Sequence, residues 1–318
     1  MKTKFYSLML MMVAFVTIGS FTSCSKDDDD EVTQGSGAPT ADGKKLQFVK
    51  IDSSSPFLFE YDSEGRVLKV TSNSKTILFN YSETQVTSTT TYSGSSSAEV
   101  VTYMLTNGRI TKSIEKASSS SGSDYITEFT YDGNGCLTTI KYTNSSTYDN
   151  GNGKSTSNST NRTTYTWKDG NVVNCKKENN YTSVYTYTDY QYVNGSYQNV
   201  TNTRTTTETS ITETNYTYSN HAYTLPALEA DANEILRWQG FYGKNNSNLT
   251  SKEQTTRTNT YSTKDTGSKE TVNPNVSTSS YTIDYSYTFN GSSLEKIFVT
   301  TTDNNNKVTV STIEMSWN

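Results

Sequence analysis

The sequence predicts an all-β protein: an antiparallel meander of hairpins forming a curved or partly closed sheet, with one short helix. Three observations predict it. The first is composition. Only 31% of the 318 residues are hydrophobic, which alone would suit a disordered chain, but aromatics reach 12% with 24 Tyr and the charged fraction is 19%. Disordered chains are poor in aromatics, whereas Tyr and Thr pack on pleated surfaces. The second is strict alternation. Tyr281, Ile283, Tyr285, Tyr287 and Phe289 share one face, and Thr282, Asp284, Ser286 and Thr288 the other. Tyr125, Thr127, Phe129 and Tyr131 repeat the pattern, as do Ile77, Phe79 and Tyr81. A period of two is that of a strand with one wetter face.

The third is a recurring turn unit in which aromatics enter and aliphatics leave. Phe59-Glu60-Tyr61-Asp62-Ser63-Glu64-Gly65-Arg66-Val67 is one copy, and Phe129-Thr130-Tyr131-Asp132-Gly133-Asn134-Gly135-Cys136-Leu137 is another. Tyr165-Thr166-Trp167-Lys168-Asp169-Gly170-Asn171-Val172 is a third, with looser copies at Asn107-Gly108 and Asn290-Gly291. Asp or Asn bonds the neighbouring backbone, and Gly takes positive φ without a Cβ clash. These units resemble YD repeats, the Tyr-Asp-x-x-Gly hairpins of Rhs-type proteins, although their irregular spacing does not suggest a closed repeat shell. Together with an acidic tether near the N-terminus, they make the chain resemble an uncharacterised family of Bacteroidetes surface lipoproteins with degenerate YD-like hairpins, over about residues 46–318. Leu225-Pro226 and the stretch Gly240 to Leu249 belong to that resemblance, with Thr250 where the pattern often has Pro. The family has no established activity, so the resemblance carries over no functional residue.

Pro226 to Gln239 is the helix candidate: Leu228, Ala232, Ile235, Leu236 and Gln239 fit a 3.6 period, Pro226 suits a first turn and Gly240 a stop. Ser118 to Ser123, Asp149 to Thr160, Lys264 to Asn275 and Asp303 to Lys307 read as long hairpin tips or loops. Thr201 to Thr217 alternates without an apolar face and reads as long exposed strand.

The N-terminus carries an address. Lys2 and Lys4 precede an apolar run from Phe5 to Ile18, too short to span a bilayer and suited to a signal-peptide core. Phe21-Thr22-Ser23-Cys24 then looks like a lipobox, with Phe21 where Leu is usual. The implied organisation is a lipoprotein signal peptide over 1–23, a lipidated Cys24 with acidic tether and linker over 24–45, and one β-hairpin-rich domain over 46–318. Ser25, Lys26, Asp27, Asp28, Asp29, Asp30 and Glu31 form a solvated charged tether. The run also resembles the acidic export signal of Bacteroidetes surface lipoproteins, which implies an outer-membrane protein facing the cell exterior. Net charge is −5, and setting aside the three lysines and five acids of the first 31 residues leaves −3. No basic stripe suggests nucleic acid as a partner.

Catalytic motifs are sparse. One histidine, His221, rules out two-His metal sites and reads as a loop or strand-end residue. There is no G-x-S-x-G, and Gly151-Asn152-Gly153-Lys154-Ser155 is a turn that imitates the end of a P-loop. Asp149 with Asn150 and Asn152, and Asp303 with Asn304 and Asn306, lack the spacing of a Ca²⁺ loop. No metal or cofactor is expected. Cys136 is expected to face water and Cys175 the core, which disfavours a disulfide without settling it. Paired carboxylates for glycan hydrolysis come together only in three dimensions. Tyr rows around Tyr181, Tyr185, Tyr187, Tyr190, Tyr192 and Tyr197 could stack on sugars or peptides, or form the core of a Leu-poor sheet. If Asp189 marks a bulge, Tyr190 and Tyr192 become the exposed pair and the candidate binding residues. The leading expectation is a non-enzymatic surface module that binds a glycan or a partner protein. The alternatives are a carrier holding an apolar ligand in the curved sheet, and a glycan hydrolase.

Overall fold

A computed structural model describes residues 44–116, 124–149, 151, 153–222, 231–267 and 271–318. The signal segment, Cys24, the acidic run at 25–31, Leu225-Pro226 and the Ser118 to Ser123 tip lie outside the described residues.

Sixteen strands run in chain order. The first eight are short: β1 (Leu46–Ile51), β2 (Phe57–Tyr61), β3 (Val67–Thr71), β4 (Lys75–Tyr81), β5 (Gln85–Tyr92), β6 (Ala98–Thr106), β7 (Arg109–Glu115) and β8 (Tyr125–Tyr131). Longer strands follow: β9 (Leu137–Asp149), β10 (Gly153–Lys168), β11 (Asn171–Val193), β12 (Ser196–Ala222), β13 (Asn248–Asp265) and β14 (Thr271–Asn290). The chain ends with β15 (Ser293–Asp303) and β16 (Val308–Trp317), and the one helix among the described residues, α1 (Ala232–Trp238), lies between β12 and β13. Each strand pairs with the next, and β16 returns to β1, so the sheet is a closed antiparallel barrel rather than a curved or partly closed sheet. Closure follows from the ends: Lys45 and Asn318 exchange backbone hydrogen bonds of 2.9 and 3.0 Å, leaving no free edge strand.

Two predicted loops are strand. Asp149 to Thr160 is nearly all β9 and β10, and Lys264 to Asn275 belongs largely to β13 and β14. Their Ser, Thr, Asn and Gly content reads as loop, yet small polar residues hold a ladder when both neighbouring strands supply hydrogen bonds. Thr201 to Thr217 is strand, as expected, within the 27 residues of β12.

The turn units do more than reverse the chain. Aromatics latch seven of the eight even-numbered strands to a carbonyl on the odd-numbered strand before each. Tyr61 donates to the Leu46 carbonyl at 2.8 Å, Tyr81 to Val67 at 2.7 Å, Tyr131 to Ile110 at 2.6 Å and Trp167 to Leu137 at 2.8 Å. Tyr218 donates to Val172 at 2.6 Å, Tyr287 to Thr250, and Trp317 to Leu294 at 2.8 Å. Most of these acceptors are the aliphatic residue that leaves a turn. Among the described residues β6, with Leu105 near that position, shows no such hydroxyl or indole donor.

The latched end is plugged. Asp231 caps α1 by accepting from the N–H of Asn233 and Glu234, and Gly240 at φ +84 stops it. The helix thus occupies the second half of the predicted span. Trp238, Phe241, Tyr242 and Leu249 are buried among Val49, Phe59, Ile77, Phe129 and Ile283. The plug then bonds the turn ends: Val67 N–H to Gln239 Oε1, Ile110 N–H to the Phe241 carbonyl, and Val172 N–H to Asn246 Oδ1.

Around the plug the inner face is apolar, whereas the inner face of the longer strands is polar, with Asn161, Asn179, Ser210 and Asn259 in one row. Outward residues of β12 and β13 include Thr205, Thr207, Thr209, Thr256 and Thr258, and charges bridge outward across strands as Glu60–Lys69, Lys252–Asp284 and Lys296–Glu314. Leu58, Leu78, Val100, Ile126, Val276, Phe298, Val308 and Val310 are exposed on the same outer face. A bilayer-spanning barrel needs an outward apolar band roughly 25 Å tall, and charges there are costly. No helix among the described residues is long and apolar enough to cross a membrane.

Candidate functional site

The short strands end together, opposite the latched turns, while β9 to β14 continue beyond them as a tall wall. Where the short side stops, a cleft of about 490 Å³ opens. Its walls come from the inward rows of β4 to β9, and its floor from α1 and the segment that follows it, where Ala232, Asn233, Arg237 and Tyr242 line it. Five tyrosines line it, of which Tyr103 and Tyr242 are buried. Tyr125 and Tyr142 stack with ring centroids 6.1 Å apart, and Tyr92 is exposed beside them. Ser88, Thr90, Ser113 and Thr127 add hydroxyls.

Carboxylates share the cleft. Glu99 accepts from the Tyr92 hydroxyl at 3.4 Å. Glu115 pairs with Val101, two residues along β6 from Glu99, so the two acids are diagonal neighbours on one face. Such positions lie about 7–8 Å apart. Burial, and then the nearby Glu99 charge, raise the Glu115 pKa above the usual carboxylate value. Among the described residues no group of His, Cys, Asp or Glu could hold a metal ion.

A second ionisable group lies deeper, against the plug. Glu253 is 1% exposed and accepts from the Tyr285 hydroxyl at 2.9 Å. Burial pushes its pKa up to about 7, opposed by that hydrogen bond and by Lys177. Burial also lowers the Lys177 pKa and raises that of Cys175. Cys175 is a free, buried thiol, so it does not pair with Cys136. Cys136 is fully buried rather than facing water, because the plug covers its turn: Lys244 N–H donates to the Gly135 carbonyl.

The sequence-derived residues fall elsewhere. Tyr190 and Tyr192 are 65% and 64% exposed, near the tip of the β11–β12 hairpin. Asp189 marks no bulge: pairing runs unshifted from Asn174 to Val193, so parity alone turns Tyr185 and Tyr187 inward and Tyr190 and Tyr192 outward. Tyr197 joins the tip, stacked on Tyr190 at 5.5 Å and edge-on to Tyr192 at 5.0 Å. His221 stacks on Phe289 at 5.1 Å, in keeping with a strand-end role. Asp303 accepts backbone N–H bonds from Asn305 and Lys307 and acts as a turn residue. The plug residues Trp238, Phe241, Tyr242 and Leu249 are buried within the apolar interior. Sequence reasoning missed Glu99 and Glu115, whose only signal is the strand register that makes them neighbours.

No family model matches the chain, and no curated protein matches it. Among solved structures it is similar to a porin-like protein from Bacteroides vulgatus, at 15% identity and a TM-score of 0.42, covering 86% of this chain and 98% of that one. It is also similar to a porin-like protein from Bacteroides uniformis, at 13% identity and a TM-score of 0.44, covering 89% and 100%. At these values the likeness carries no argument about activity or location.

Proposed function

We propose that this chain is a surface-exposed binding module whose mouth cleft holds a glycan. The observation that carries the reading is the cleft, where Tyr92, Tyr125 and Tyr142 stand over Glu99 and Glu115. Tyr rings offer flat apolar faces for the C–H side of a sugar, and carboxylates accept from its hydroxyls. Isothermal titration of the protein with soluble neutral polysaccharides tests it. Tyr125→Ala with Tyr142→Ala should abolish binding without lowering Tm by more than a few degrees. Unchanged binding in that variant would reject the cleft.

The leader supports a location for this module: anchored to the outer membrane through a lipidated Cys24 and carried outward by Ser25 to Glu31, with its body in water. Membership of the YD-like lipoprotein family belongs to the same proposal. The exposed tip at Tyr190, Tyr192 and Tyr197 is a further contact surface for a glycan or a surface protein. The Glu99–Glu115 pair favours a second reading, glycoside hydrolysis with Glu115, whose pKa burial raises, as the general acid. Release of reducing ends from a bound polysaccharide, lost in Glu115→Gln, would support it; no release at any pH would reject it.

A further inference from the structure

We propose that the inner face of the tall wall carries a second sugar subsite, so that the cleft's ligand is a neutral oligosaccharide long enough to span both. The inference rests on the cleft binding a glycan and adds the length and charge class of that glycan. Strand register places the second site. Tyr142, at the cleft, pairs with Asn161, Asn161 with Asn179, Asn179 with Ser210 and Ser210 with Asn259. These five side chains form one continuous inward row from β9 to β13. Asn179, Ser210 and Asn259 line a hollow of about 390 Å³ together with Tyr181, Glu208, Arg257 and Tyr261.

The next row gives the hollow its recognition chemistry. Tyr181 pairs with Glu208 and Glu208 with Tyr261, so two rings flank one carboxylate. Tyr261 is 41% exposed, which leaves ring surface for a ligand. Arg257 Nε donates to Ser210 Oγ at 3.2 Å and to Asn259 Oδ1 at 3.0 Å, which holds the guanidinium against the hollow. Two aromatic faces, two carboxamides, an acid and a cation match the mixed apolar and hydroxyl surface of a sugar. Asn179 lies two strands from Tyr142, or about 10 Å at the usual strand spacing. Asn161 and Ser159 fill the gap with small polar groups, leaving no apolar barrier between the sites.

Charge argues for a neutral chain. The cleft holds Glu99, Glu115 and Asp231 against Lys75 and Arg237, and the hollow balances Glu208 with Arg257. A polyuronate would bring like charge against the cleft acids.

The probes are malto-, xylo- and manno-oligosaccharides, each as disaccharide and hexasaccharide, with oligogalacturonate as the anionic arm. Calorimetry on the intact protein should show a hexasaccharide binding more tightly than its disaccharide. Tyr181→Ala with Tyr261→Ala should weaken the hexasaccharide by about tenfold and leave the disaccharide unchanged, with an unaltered near-UV spectrum as the folding control. Tyr125→Ala with Tyr142→Ala should remove both. Equal hexasaccharide affinity in the Tyr181, Tyr261 variant would overturn the second subsite while leaving the cleft standing. Tighter binding of oligogalacturonate would overturn the charge assignment, and no binding of any probe would overturn both readings.

Discussion

Tyr131 and Glu253 show how single residues set the behaviour of this barrel. The Tyr131 hydroxyl donates to the Ile110 carbonyl at 2.6 Å across a part-buried contact. Tyr131→Phe keeps the ring and leaves that carbonyl without its side-chain donor, so denaturant unfolding should show a loss of about 1–2 kcal/mol. The same change at exposed Tyr148, 67% accessible, should cost almost nothing. Glu253 is raised to about 7 by burial, so the folded protein binds a proton there that the unfolded chain releases near 4.5. Its contribution is fully present below pH 4.5 and is lost as pH rises through about 7. The wild-type Tm should therefore fall between pH 5 and pH 8 more steeply than that of Glu253→Gln, which keeps an acceptor for Tyr285. Parallel Tm curves would show that the carboxyl does not titrate in this window.

Elements were legible to different degrees. Period-two alternation and Asp/Asn-Gly turns mark β2 to β4, β8, β14 and the hairpins between them, because those strands have one apolar face. The edges of β9, β10, β13 and β14 were hidden because both faces of the tall wall carry polar residues, so polarity there no longer distinguishes strand from loop. Tyr190 and Tyr192 were expected to be exposed through a bulge at Asp189; they are exposed through simple parity along β11. The plug was visible only as a short amphipathic helix. Its purpose depends on contacts far along the chain, such as Gln239 with Val67. The same distance hid Glu99 and Glu115. Gly243 tests the plug directly: it has φ +83, and a Cβ there would lie 2.4 Å from the Gly135 carbonyl oxygen and 3.1 Å from Tyr131. Gly243→Ala should lower Tm by several degrees, whereas a surface Gly133→Ala, with open space around it, should not.

At the scale of the molecule, the barrel packs its apolar core around the plug at one latched end and opens at the other beside a tall wall that is polar on its inner face. A Cys24→Ala form should stay soluble without detergent, while the lipidated form fractionates with membranes. A Cys24→Ala form that needs detergent would contradict the proposal of a body in water. The central claim is that this architecture presents its ligand site at the open mouth. Hydrogen–deuterium exchange of the intact protein, with and without a binding hexasaccharide, tests it most directly. Exchange should slow at the mouth ends of β5, β6, β7 and β8 and at the start of α1. Slowing confined to the Tyr190 to Tyr197 tip would contradict it.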